Sequence, residues 1–118
     1  MIAVIFEVFP DPNHRDAYLD IAAEMRPLLE EVDGFISVER FQSLTNPDKL
    51  LSLSFFRDEE AVQTWRSLTA HRGAQKAGRA GIFTDYHLRI AHVIRDYGMF
   101  DRTEAPQDSQ EAHPPKDA

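Results

Sequence analysis

A chain of 118 residues, 42% hydrophobic and 28% charged, can bury one modest core, and its composition argues against disorder over most of its length. The net charge of −7, with 13 scattered Lys and Arg residues, argues against nucleic acid or an anionic membrane as the main partner, because both call for a basic face. With no cysteine, disulfides, thiolate metal sites and cysteine nucleophiles are excluded.

The first residues, Met1 to Glu7, lack a basic leader and turn acidic early, and no apolar run approaches the roughly 20 residues of a membrane helix. The reading is a soluble cytoplasmic protein. Ile2 to Phe9 is an apolar, β-branched and aromatic run ended by Pro10-Asp11-Pro12, which reads as a strand buried on both faces. Asn13 or Asp11 then caps a helix whose apolar stripe is Tyr18, Ile21, Met25, Leu28 and Val32. Pro27 is expected to kink or divide that helix, and Gly34 to close it in a left-handed conformation.

From Phe35 to Leu44 the side chains alternate, with Phe35, Ser37, Glu39 and Phe41 on one side and Ile36, Val38, Arg40 and Gln42 on the other. Thr45-Asn46-Pro47-Asp48 is turn chemistry, so this strand and Leu50 to Phe56 form a hairpin. Asp58 caps a second helix, with Glu59 and Glu60 facing its positive end. That helical segment runs to Arg79, with a break expected between Ser67 and Ala70, where Thr69 can cap a second piece. Ile82 to Tyr97 is the longest strand candidate. Residues 99–118 are polar with little to bury, and read as a disordered tail after a domain of residues 1–98.

The order strand, helix, strand, strand, helix, strand predicts an α+β, ferredoxin-like βαββαβ fold, an antiparallel sheet with both helices on one face. Several strands look apolar on both sides, and two helices cover only one. A second copy packed sheet against sheet is the economical cover, which makes the chain a homodimer.

Asp33-Gly34-Phe35-Ile36-Ser37, then Leu51 to Ala61, then Trp65 with His71-Arg72 and Gln75, resembles the antibiotic-biosynthesis-monooxygenase family over about residues 1–98. The resemblance implies a dimeric α/β barrel with a pocket between helices and sheet in each subunit. It implies two activities: cofactor-free oxidation of polyphenolic or quinol-like molecules by O2, or haem binding and degradation through a helix histidine, a tryptophan and an asparagine. Trp65 matches that tryptophan, but Gln75 stands near the histidine position, and Ile2 to Phe9 holds no asparagine. Haem degradation is therefore disfavoured.

The leading expectation is a small monooxygenase that needs no cofactor and no metal and acts on an aromatic small molecule with O2. Deprotonating such a substrate calls for a group that titrates near neutrality, which His71 supplies, and Tyr86 is the second candidate for catalysis. Trp65, Arg40, Gln75 and His92 are candidates for holding substrate. The structural alternatives stand beside these. Trp65 reads equally as a core residue, His71 as a surface histidine, and Tyr86, His92 and Arg40 as dimer contacts. A non-catalytic module that holds a small apolar ligand in the same pocket is the rival function.

Overall fold

A computed structural model describes residues 1–71 and 81–113, and of residues 69–71 only the backbone. Four strands form one antiparallel sheet: β1 (Ile2–Pro10), β2 (Phe35–Gln42), β3 (Leu50–Phe56) and β4 (Phe83–His92), in the order β2-β3-β1-β4. Among the described residues three helices accompany it: α1 (Arg15–Glu30), α2 (Glu59–His71) and α3 (Gln107–Ala112). No described helix is long and apolar enough to cross a membrane.

The register decides which side chains share a face. Ile2, Val4, Phe6 and Val8 of β1 stand in line with Phe56, Ser54, Ser52 and Leu50 of β3. They also stand in line with His92, Ile90, Leu88 and Tyr86 of β4. Both core clusters lie on this face. Leu29 and Val32 pack with Val38, Phe56 and Ala61 at one end, while Val8, Tyr18 and Leu50 pack at the other. Side chains of α1 and α2 belong to these clusters, so both helices cover the same side of the sheet, as the βαββαβ order requires. The opposite, open face carries Ile5 and Phe9 of β1 and Leu51, Leu53 and Phe55 of β3.

Several local expectations are corrected. The α1 helix runs unbroken through Pro27, which is exposed in its last turn, although proline has no N–H to donate to the Ala23 carbonyl one turn back. His14, without a side-chain cap, precedes α1; Asp11 instead accepts the Asn13 N–H at 2.9 Å. Gly34 does adopt a positive φ, +93°, but three residues beyond the Glu31 cap. A Cβ there would come within 2.9 Å of Ala61 Cβ, so glycine lets the start of α2 close onto the β2 entry.

The cap at Asp58 is as read. Its carboxylate accepts the Ala61 N–H at 2.9 Å, and that bond, with a further one from Arg57, holds its pKa below the ordinary value. The helix continues through Ser67 to Ala70 without the expected break, because no residue in that stretch interrupts the backbone ladder. In β2 the register slips between Phe35 and Ser37. Ile36 is the extra residue, so Phe35 joins Val38 on the helix-covered side rather than Ser37 on the open one. The β4 strand stops at His92, opposite Ile2, with one further bond from the Val93 N–H to the Met1 carbonyl at 3.0 Å.

Residues 99–113, the described part of the tail read as disordered, carry a turn and the α3 helix. Arg102 stacks on Tyr97, with 5.3 Å from guanidinium carbon to ring centroid, and donates to the carbonyls of Gly98, Ser109 and His113. One arginine thereby satisfies a turn and the α3 helix that burial alone would not hold.

Candidate functional site

Aromatic residues gather at the end of the helix-covered face where β4 begins. The Phe83 ring lies 5.9 Å from Phe6, 5.4 Å from Tyr18 and 6.1 Å from Tyr86, and Phe6 and Tyr86 are 5.6 Å apart. These tilted and edge-to-face contacts are the geometry that ring quadrupoles favour. Along β4 beside this cluster, Tyr86, Leu88 and Ile90 turn toward the helix side yet stay 53%, 50% and 53% exposed. Ser52 and Ser54 in the middle of the same face are small, which keeps the floor between the two core clusters low. An apolar wall with one phenol hydroxyl therefore faces open space on the covered side.

The α2 helix lies on the same covered face, over the other core cluster. The chain leaves β3 at Phe56, and β4 opens opposite Pro10 at the far end of the sheet, so α2 carries it along the covered face. Trp65 is half-buried and packs against the Leu29–Phe56 cluster together with Val62 and Leu68. It is a core residue with one margin left over. His71 ends the described part of the helix. Gln75 lies outside the described residues.

Arg40, Tyr86 and His92 all share the helix-covered side, but they do not converge. Tyr86 and His92 are six residues apart on one strand, about 20 Å at ~3.3 Å per residue. Arg40 is on the opposite edge strand, three strand spacings or about 14 Å from Leu88 across the row Arg40–Ser52–Phe6–Leu88. It lines a separate cavity of about 390 Å³ at the β2 margin. His92 ends the strand in solvent. The residues that the sequence reading missed, Phe6, Tyr18 and Phe83, were legible only as core. Phe6 shares the two-residue period of Val4 and Val8, but the partnership with Phe83 needs the strand order.

On the open face a different group forms. Glu7, half-buried at the sheet centre, pairs with Arg89 at 3.3 Å and Lys49 at 3.5 Å. Burial alone pushes the Glu7 carboxyl up, but the Arg89 hydrogen bond and the charges of Lys49 and Arg89 outweigh it and leave the pKa below the ordinary 4.5. A lowered carboxylate pKa gives stability that is present above the unfolded value and lost as pH falls through the folded one. Wild type is therefore expected to exceed Glu7→Gln in urea midpoint at pH 7. The gap should narrow as pH drops below about 4.5. A gap independent of pH between 7 and 3 would contradict the ion pairing.

Comparison with known proteins agrees with this architecture. The family model described as Antibiotic biosynthesis monooxygenase matches residues 1–77. The jasmonate monooxygenase ABM of Pyricularia oryzae is 50% identical over 93 residues, a match that covers 79% of this chain and 43% of that protein. The chain thus spans less than half the length of that relative. Among solved structures, Rv0793 of Mycobacterium tuberculosis superposes with a TM-score of 0.70 at 19% identity, covering 82% of this chain and 98% of that one. SnoaB, a cofactor-independent oxygenase of Streptomyces nogalater, gives 0.69 at 9% identity, covering 80% and 94%. Such low identities speak to the fold alone, whereas the family model covers more than half of the residues. With the sheet order, the one-sided helices and that match together, the chain belongs to the antibiotic biosynthesis monooxygenase family.

Proposed function

We propose that the protein is a cytoplasmic, homodimeric monooxygenase that uses O2 without a cofactor to oxidise an aromatic or quinol-like small molecule. The observation that carries this reading is the aromatic cluster Phe6, Tyr18, Phe83 and Tyr86, continued by the half-exposed Leu88 and Ile90 on the covered side of β4. A flat apolar ring stacks there, and the Tyr86 hydroxyl offers one polar contact.

The chemistry places its demand on the substrate. Loss of a proton from a phenol, or from a carbon activated by one, leaves an anion that can give an electron to O2. Recombination forms a carbon–oxygen bond. The peroxide takes back the proton held by the base, and where the oxygenated carbon is a CH2, as in an anthrone, loss of water leaves C=O, so one oxygen atom enters the product, the other leaves as water, and the substrate supplies all four electrons. His71 is the base, Tyr86 holds the developing oxyanion, and Trp65 borders the substrate. Exclusion of water from the pocket strengthens both contacts.

The 50% identity to a protein named for jasmonate supports a second substrate class, an alicyclic keto acid, which the aliphatic Leu88 and Ile90 would also accommodate. A cofactor-free route to it requires a carbon made acidic by the ketone. Oxygen uptake by the purified full-length protein decides between them, with a panel of anthrones and hydroquinones on one side and cyclopentanone carboxylic acids on the other. Uptake with one class assigns it. No uptake with either, together with ligand-dependent rises in melting temperature, would replace the enzyme by a binding module.

A further inference from the structure

We infer that Arg40, with Ser52 opposite it, anchors the carboxylate of the substrate, which is therefore a small acid whose apolar end lies on Leu88 and Ile90. The inference rests on the covered-side pocket proposed above and adds the charge of its ligand and the residues that read that charge.

Three observations meet here. The first is an arginine with no partner. Arg40 makes no hydrogen bond, ion pair or ring contact with any described residue, and its Nε is buried. Arg26, the other cation at the β2 margin, is held by Glu30 at 3.1 Å, and Arg57, Arg89 and Arg102 each have acceptors of their own. A buried N–H without an acceptor costs free energy, and a guanidinium cannot escape that cost by losing its proton. An anion brought to it removes the cost.

The second is its surroundings. Arg40 stands directly opposite Ser52, with the two Cβ atoms about 5 Å apart. Ser52 is half-buried, and its hydroxyl also has no partner among the described residues. Followed through the register, no Asp or Glu stands on the covered side of the four strands, because Glu7, Glu39 and Asp85 fall on the open one. In a chain of net charge −7, this side of the sheet thus holds an arginine and no acid. A guanidinium fork beside a hydroxyl offers donors to a planar acceptor, and a carboxylate is that acceptor.

The third is distance. Two strand spacings, about 10 Å, separate Ser52 from Leu88, with Phe6 between them. Phe6 turns toward β4, its ring 5.6 Å from Tyr86 and 5.9 Å from Phe83. Ser52 and Ser54 keep the floor beside it low. A single ring on the half-exposed Leu88 and Ile90, carrying a short acid side chain, spans that strip. The separation of Arg40 from the apolar wall then serves the site, since a carboxylate against that wall would be desolvated without a partner.

Trp65 is the chain's one tryptophan and packs on the covered side, so its fluorescence reports occupancy without turnover. A cyclopentanone carboxylic acid and its methyl ester are titrated into full-length wild type, Arg40→Met, Arg40→Lys and the exposed control Glu24→Gln. Wild type and the control are expected to bind the acid about 10-fold or more tightly than the ester, as a hydrogen bond to a charged group predicts. Arg40→Met should bind acid and ester alike, with the ester's Kd unchanged. Arg40→Lys should fall between, having the charge but not the fork. Equal affinity for acid and ester in wild type would overturn the proposal whether or not Arg40→Met folds, and so would an acid preference that survives in Arg40→Met. Oxygen uptake with neutral quinols but no binding of the acid would overturn it and leave the monooxygenase standing. Arg40-dependent binding of the acid without oxygen uptake would uphold the anchor and remove the enzyme. Neither binding nor uptake would remove both.

Discussion

Replacing Phe56 by alanine is expected to cost about 3–5 kcal/mol of folding stability, the usual range for a buried phenylalanine. Phe56 is fully buried, its ring lies 5.9 Å from that of Phe35, and it packs among Leu29, Val32, Val38 and Ala61. Those neighbours come from both helices, the loop after α1 and β2, so no single element can move in to fill the void. Set against the total of about 5–15 kcal/mol for a domain, this approaches the whole margin. Urea denaturation at fixed protein concentration reads it, with Leu44→Ala, fully exposed in the hairpin, expected within about 0.5 kcal/mol of wild type. A Phe56→Ala loss below about 1 kcal/mol would mean that the two helices do not meet over β3 as described.

The second large effect concerns catalysis. His71→Ala is expected to lower the oxygen-uptake kcat about 10²–10⁴-fold, the range for loss of a positioned general base, with an unchanged melting temperature. The pH profile of kcat/KM should lose its limb near neutrality in the same variant. Tyr86 is separable. Tyr86→Phe keeps the ring beside Phe6 and Phe83, so a fall in kcat would assign the hydroxyl a part in the chemistry, and an unchanged kcat would leave Tyr86 as wall. Glu24→Gln, on the exposed side of α1, serves as the control expected to match wild type. Full activity in His71→Ala would remove the base from the proposed mechanism.

How much of this was legible in the chain follows from what each signal measures. Two-residue alternation put Tyr86, Leu88, Ile90 and His92 on one side of their strand, and the register agrees. Turn chemistry at Asn46-Pro47 and the cap at Asp58 are local, made by residues within three or four positions, and both stand as read. The slip at Ile36 was not legible. A bulge is set by how β2 meets β3 and α2, and nothing in Phe35-Ile36-Ser37 announces it. The continuity of α1 through Pro27 depends on packing against the sheet, which outweighs one lost hydrogen bond. The Arg102 knot escaped notice because composition registers how polar a segment is, not whether one guanidinium can reach three carbonyls.

The site divides along the same line. The sequence by itself determined the strand and helix order, the sides shared within β4, the capped start of α2 and hence the fold class, because these follow from backbone propensities and side-chain period over short range. Only the tertiary structure decided that Phe6, Tyr18, Phe83 and Tyr86 form one cluster, and that Arg40 and His92 stand apart from it. Alternation tells which side chains lie together on a strand but not which side a helix will cover. It also gives no distance between residues on strands whose order in the sheet, β2-β3-β1-β4, differs from their order in the chain.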